Sequence, residues 1–116
     1  MTLLVSPYYR DSVGEIQWLT VPPEYNDSAG VESTRLSFWG SAAVKKLGLT
    51  LVTTLAHSDI YAEGADLSRL AQEIEILTGY VSFLSRKEKT YWIYRLSNVL
   101  AAIRIAESCE GGVYIG

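Results

Sequence analysis

Asp66-Leu67-Ser68-Arg69-Leu70-Ala71-Gln72-Glu73-Ile74-Glu75-Ile76-Leu77-Thr78-Gly79-Tyr80-Val81-Ser82-Phe83-Leu84 is the stretch that decides the fold. Leu67, Leu70, Ile74, Leu77, Val81 and Leu84 recur in alternating steps of three and four, the spacing of a narrow apolar stripe along a helix. Asp66 is a suitable N-cap. Gly79 predicts a kink or break near Thr78–Tyr80. Ser85-Arg86-Lys87-Glu88 has the form of a capping box, which starts a new helix. That helix carries Trp92, Leu96, Val99, Ile103 and Ala106 in the same rhythm and is expected to end near Cys109, where Gly111-Gly112 releases the chain. Two such stripes joined by a short turn predict an antiparallel αα-hairpin that needs an apolar surface to cover.

Strands elsewhere supply that surface. Thr2–Val5 is β-prone, and Ser6-Pro7 reads as a turn. In Glu15–Val21, Ile16 and Trp18 alternate with Gln17, the period of a strand with one buried side, and Pro22-Pro23 ends it. These two runs predict a hairpin through the Tyr8–Gly14 loop. Pro22–Glu32 reads as a long loop. Ser33 or Thr34 is expected to cap a helix running to Leu47, with Leu36, Trp39, Ala43 and Leu47 on its buried face and Gly40 permitting close packing. Leu49–Leu55 reads as a strand. In His57–Glu63, Ile60 and Ala62 share one strand face, and Asp59, Tyr61 and Glu63 share the other. Val113-Tyr114-Ile115 is expected to return to the sheet. The fold class is therefore α+β: a small mixed or antiparallel sheet packed on one face by helices, in a single domain spanning residues 1–116.

Composition narrows the chemistry. The chain has 116 residues, a net charge of −3, one histidine and one cysteine. No intrachain disulfide can form, and one His with one Cys is a poor ligand set for zinc or iron. No metal or other cofactor is expected. The dinucleotide fingerprint, the P-loop and the nucleophile elbow are all missing. The mild acidity argues against a general nucleic-acid binder. No apolar run is long enough to cross a bilayer, and the N-terminus lacks a signal peptide, so a cytoplasmic location without membrane contact is expected.

Four groups of residues remain as candidates. His57, Asp59 and Glu63 resemble a base with orienting carboxylates; the plainer alternative is a solvent-facing strand edge. Cys109 lies between Glu107 and Glu110 at a helix C-terminus, which disfavours a thiolate. Arg95 and Arg104 read as sharing one side of the last helix and, with Lys89, as facing an anionic ligand or acidic partner. The competing reading there is a solvated face braced by an Arg104–Glu107 pair. Tyr91 and Tyr94 flank Trp92, which is more aromatic surface than one stripe uses. The candidate binding residues are thus Tyr91, Tyr94, Arg95, Trp39 and Tyr25, because aromatic residues and arginine dominate binding hot spots. The expected function is that of a non-catalytic interaction protein, of accessory or immunity type, that pairs with itself and with another protein. The alternatives are a small-molecule pocket lined by Trp18, Trp39 and Trp92, and an enzyme using His57.

Overall fold

The computed structural model describes residues 2–116. Five strands form one antiparallel sheet: β1 Thr2–Arg10, β2 Ile16–Trp18, β3 Ser28–Val31, β4 Ile60–Glu63 and β5 Gly112–Ile115. Three helices accompany it: α1 Ala42–Lys46, α2 Ala65–Val81 and α3 Arg86–Ser108. The α+β class read from the sequence is what the chain adopts.

β1 organises the sheet. One edge pairs over Val5–Tyr8 with β5, which pairs in turn with β4. The other edge is shared, with β3 bonding the N-terminal half and β2 the C-terminal half. Pro7 sits where one neighbour gives way to the other: Val5 N–H donates to Asp27 O, and Pro7 O accepts from Leu19 N–H. A missing N–H costs little at a gap in the ladder, so β1 runs straight through the expected Ser6-Pro7 turn. The predicted hairpin forms with a shorter loop than Tyr8–Gly14, because Tyr8–Arg10 pair with β2, Arg10 opposite Ile16, and Asp11 ties the turn. The expected Pro22–Glu32 loop is shorter than read, because Ser28–Val31 joins β1 as β3.

α2 and α3 pack on each other and on one face of the sheet. Both stripes are buried as expected: Leu67, Leu70, Ile74, Leu77 and Val81 on α2, and Trp92, Leu96, Val99, Ile103 and Ala106 on α3. Gly79 does not break α2, which continues to Val81. Gly64 rather than Asp66 takes the N-cap position, with Asp66 in the first turn where its charge suits the helix dipole. Ser85 caps α3, its Oγ accepting from Glu88 N–H and donating to Glu88 Oε1, so the Glu88 carboxylate engages the Ser85 hydroxyl rather than the backbone N–H that a full capping box would use. Beneath the helices lie Leu3 and Val5 of β1, Ile60 and Ala62 of β4, and Val113 and Ile115 of β5.

The segment from residue 33 to residue 56 departs most from expectation. The single helix predicted to Leu47 is two pieces. Arg35–Trp39 forms one wide turn closed by Gly40 N–H on Arg35 O, and Ser41 then caps α1. Of the predicted stripe only Trp39 is buried: Leu36 is 69% exposed, Ala43 and Leu47 are exposed, and Phe38 and Val44 are buried instead. The break rotates the faces. The Leu49–Leu55 strand is instead a turn of 3-10 helix at Val52–Ala56. Its first donors are taken by the Glu73 carboxylate, which accepts from Leu51 N–H and from Val52 N–H at 2.8 Å. A side chain on α2 thus closes a helical turn where the β-branched composition suggested a ladder. A Cβ at Gly40 would lie 2.5 Å from Ala56 Cβ, so glycine lets these two turns touch. Phe38 stacks on Trp92 at 3.6 Å between ring centroids, and Trp39 stands perpendicular to both.

Candidate functional site

The helices cover one face of the sheet. On the other face the strand alternation that buries Ile60, Ala62, Val113 and Ile115 turns Tyr61, Tyr114, Tyr8 and Trp18 outward. Their rings form a closed circuit: Tyr8 to Trp18 at 5.7 Å, Trp18 to Tyr114 at 5.7 Å, Tyr114 to Tyr61 at 4.9 Å and Tyr61 back to Tyr8 at 6.2 Å between centroids. Most of these contacts are edge-to-face, the geometry favoured by the ring quadrupole. Trp18 is 55% exposed and Tyr61 52% exposed, while Tyr8 at the centre is completely covered.

Glycine makes room for that centre. Gly112 lies opposite both Tyr8 and Glu63, and a Cβ there would fall 2.6 Å from the Tyr8 hydroxyl. The Tyr8 hydroxyl is buried without a hydrogen-bond partner among the described residues. Burial first, and the Glu63 carboxylate second, push it well above the usual phenol range, so it stays neutral.

Two ion pairs frame the circuit. Arg10 makes a forked contact with Glu63, its Nε 2.9 Å from Oε1 and its Nη2 2.9 Å from Oε2. At the other end Arg35 donates to Asp59 Oδ1 at 2.7 Å, and Tyr114 donates to Asp59 Oδ2 at 3.1 Å. The same guanidinium holds the carbonyls of Leu55 and Ser58 and the Glu32 carboxylate. The Arg10 guanidinium holds the Glu63 carboxyl below the ordinary carboxylate range, and Arg35 does the same for Asp59. Both are charged at neutral pH and already engaged. Neither contacts His57, which is exposed in the turn before β4 and whose ring makes no hydrogen bond among the described residues. Asp59, Tyr61 and Glu63 do share one strand face, but as the rim of an aromatic surface rather than as partners of an imidazole.

The other candidates fall elsewhere. Trp39 is buried, its indole N–H donating to Ala29 O. Trp92 is buried against it and Trp18 lies across the sheet, so the three tryptophans do not line one pocket. Tyr91 and Arg95 form a stacked pair, the guanidinium 3.8 Å above the ring. Arg95 does not share a side with Arg104, since nine residues at 3.6 per turn are about two and a half turns. Tyr94 and the Pro22–Asn26 segment do meet: Asn26 Nδ2 donates to the Tyr94 hydroxyl at 3.1 Å, and buried Asn98 bonds Asn26 and Ser28 O. Tyr25 borders a shallow concavity beside α3 of about 230 Å³. Cys109 is exposed, with its thiol directed to Ile105 O and Ala106 O. Among the described residues no three His, Cys, Asp or Glu are placed to hold a metal ion, and no helix is long and apolar enough to cross a membrane.

Asp59 and Glu63 sit on a solvent-facing strand edge, as the plainer alternative has it, whereas the grouping of Tyr8, Trp18, Tyr61 and Tyr114 is not apparent from the sequence. The available signal was aliphatic residues alternating with aromatic ones in Ile60-Tyr61-Ala62 and Val113-Tyr114-Ile115. No protein-family model, curated protein or solved structure matches the chain.

Proposed function

We propose that this protein is a non-catalytic interaction protein that associates with a second copy of itself through the open face of its sheet. The observation that carries the reading is the aromatic circuit of Tyr8, Trp18, Tyr61 and Tyr114, left without a helix above it. Aromatic surface of this kind contributes heavily to binding when water is excluded. Its rim charges are matched within the chain, Arg10 with Glu63 and Arg35 with Asp59. A like surface can therefore approach without stranding an unpaired charge, and a two-fold dimer is the commonest closed assembly. Asp59 and Glu63, the carboxylates nearest the face, are held by arginines, which favours a docking role over proton transfer.

Light scattering on the purified chain at tens of micromolar tests this. The expected result is a dimer, converted to monomer by Trp18→Ala with the helical circular dichroism unchanged. A monomeric wild-type chain, or a dimer indifferent to both Trp18→Ala and Tyr61→Ala, would refute the proposal.

A further inference from the structure

The opposite side of the molecule carries a second surface. α3 has two stripes at heptad spacing. One is the buried set already described. The other runs along its solvent side: Arg86, Ile93 and Leu100 repeat at seven-residue intervals, with Lys89 and Arg104 on the same side. Two concavities lie end to end along this stripe and meet at Ser97. One, of about 510 Å³, is bordered by Arg86, Lys89, Ile93 and Tyr94. The other is bordered by Leu100, Arg104 and Tyr25. Asn26 pins the Pro22–Asn26 segment to Tyr94 and to buried Asn98, so the wall beside the groove is held in place.

The charge of this groove is one-sided. No carboxylate borders either concavity. Among the described residues the ion-paired cations are Arg10, Arg35 and Arg69, so Arg86, Lys89 and Arg104 have no intramolecular carboxylate partner. This occurs in a chain whose overall charge is −3. The cations stand at the ends of the groove and half-buried aliphatic residues, Ile93 and Leu100, occupy its middle.

We infer that the groove docks an acidic amphipathic helix of a partner protein, with carboxylates at both ends of the docked helix and apolar residues between. Arg86 to Arg104 spans about 27 Å at 1.5 Å per residue, so the complementary segment is about 18 residues long. A nucleic acid fits less well, because its phosphates repeat too closely to leave the aliphatic middle matched and the acidic chain repels it. This surface is separate from the open sheet face, so both can be occupied at once.

The test uses the full chain and fluorescence anisotropy. The probe is a labelled synthetic helix of about 18 residues, with leucines in steps of three and four flanked by glutamates. A copy with lysine for glutamate and a single-stranded oligodeoxynucleotide serve as competitors. Saturable binding of the acidic peptide, weakened by added salt and by at least about tenfold in Arg86→Glu/Arg104→Glu, is expected. Ile93→Ala/Leu100→Ala should weaken it too, and Trp18→Ala should leave it unchanged, which keeps this result separate from self-association. The inference fails if the acidic peptide shows no saturable binding below roughly 100 μM. It also fails if binding survives the charge reversal, if the lysine peptide or the oligonucleotide binds as tightly, or if Trp18→Ala abolishes binding.

Discussion

Replacing Glu73 by alanine removes the acceptor of two backbone donors at once. Glu73 is buried on α2, and its carboxylate receives Leu51 N–H and Val52 N–H at the start of the Val52–Ala56 turn. A hydrogen bond to a charged acceptor contributes about 1.5–3 kcal/mol. Val52 is fully buried and its N–H has no water to turn to, so the upper part of that range applies. Leu51 is half-buried, and its N–H recovers part of the loss as hydration, leaving about 1 kcal/mol. The Arg69–Glu73 pair at 3.4 Å is half-exposed on the arginine side and adds little after solvent screening. The sum is about 3–4 kcal/mol, a large share of the roughly 5–15 kcal/mol that holds an ordinary domain. At about 4 °C per kcal/mol for a chain of this size, Tm falls by about 12–16 °C. Alanine is the better helix former, so the loss cannot come from α2 itself. Glu73→Gln keeps a neutral acceptor and should cost only about 1–2 kcal/mol. Urea denaturation of the three proteins, read by circular dichroism, measures both numbers. A Glu73→Ala loss below about 1 kcal/mol, or a glutamine variant as weak as the alanine one, would refute the assignment of Glu73 as a cap.

Two further outcomes are expected. The Asp59 carboxyl is held low by Arg35, so its contribution is present above the unfolded value of about 4 and is lost as pH falls through the lower folded value. Asp59→Asn should therefore flatten that acid limb in urea midpoints taken from neutral pH down to about pH 2, while costing at most about 0.5 kcal/mol at neutral pH, because the side chain is well exposed and screened. Asn98→Ala leaves Asn26 and the Ser28 carbonyl without their buried partner; a loss of about 2–3 kcal/mol and faster proteolysis between Leu19 and Asp27 are expected, and unchanged cleavage there would show that Asn98 does not hold the segment.

What the residues revealed in advance was whatever depended on near neighbours in sequence. The α2 and α3 stripes, the Ser85–Glu88 cap and the Ile60/Ala62 alternation are local patterns, and each is present in the fold. The Gly79 break and the Asp66 cap are local signals that the fold does not follow. The misreadings of Glu73, Leu49–Leu55 and Pro7 are places where a distant group decides. Glu73 falls off the apolar stripe by spacing and reads as solvated, yet it is buried because the start of a 3-10 turn needs an acceptor. Leu49–Leu55 is β-prone by composition, but that same carboxylate ends any ladder before it begins. Pro7 reads as a turn until β1 is seen to change neighbours beside it. The aromatic circuit was hidden for a related reason. Tyr8 reads as the start of a loop, and Trp18 reads as buried until the side of the sheet taken by the helices is known, since one strand's pattern does not say which side that is.

β5 lies between β1 and β4, and Leu4 and Gly116 exchange backbone hydrogen bonds in both directions. The central ladder of the sheet thus joins the earliest and the latest residues of this sequence, with Val5 opposite Ile115. During synthesis β1 emerges with neither β5 beside it nor the helices above it, and closing so wide a loop is the slow step that local helix formation does not share. The α2–α3 pair is then the platform that waits, and Gly111 and Gly112 let the last strand settle against Tyr8, since a Cβ at Gly111 would collide with Tyr8 O. Until it does, β1 stays open along one edge, a state in which an unrelated strand has the opportunity that β5 normally closes.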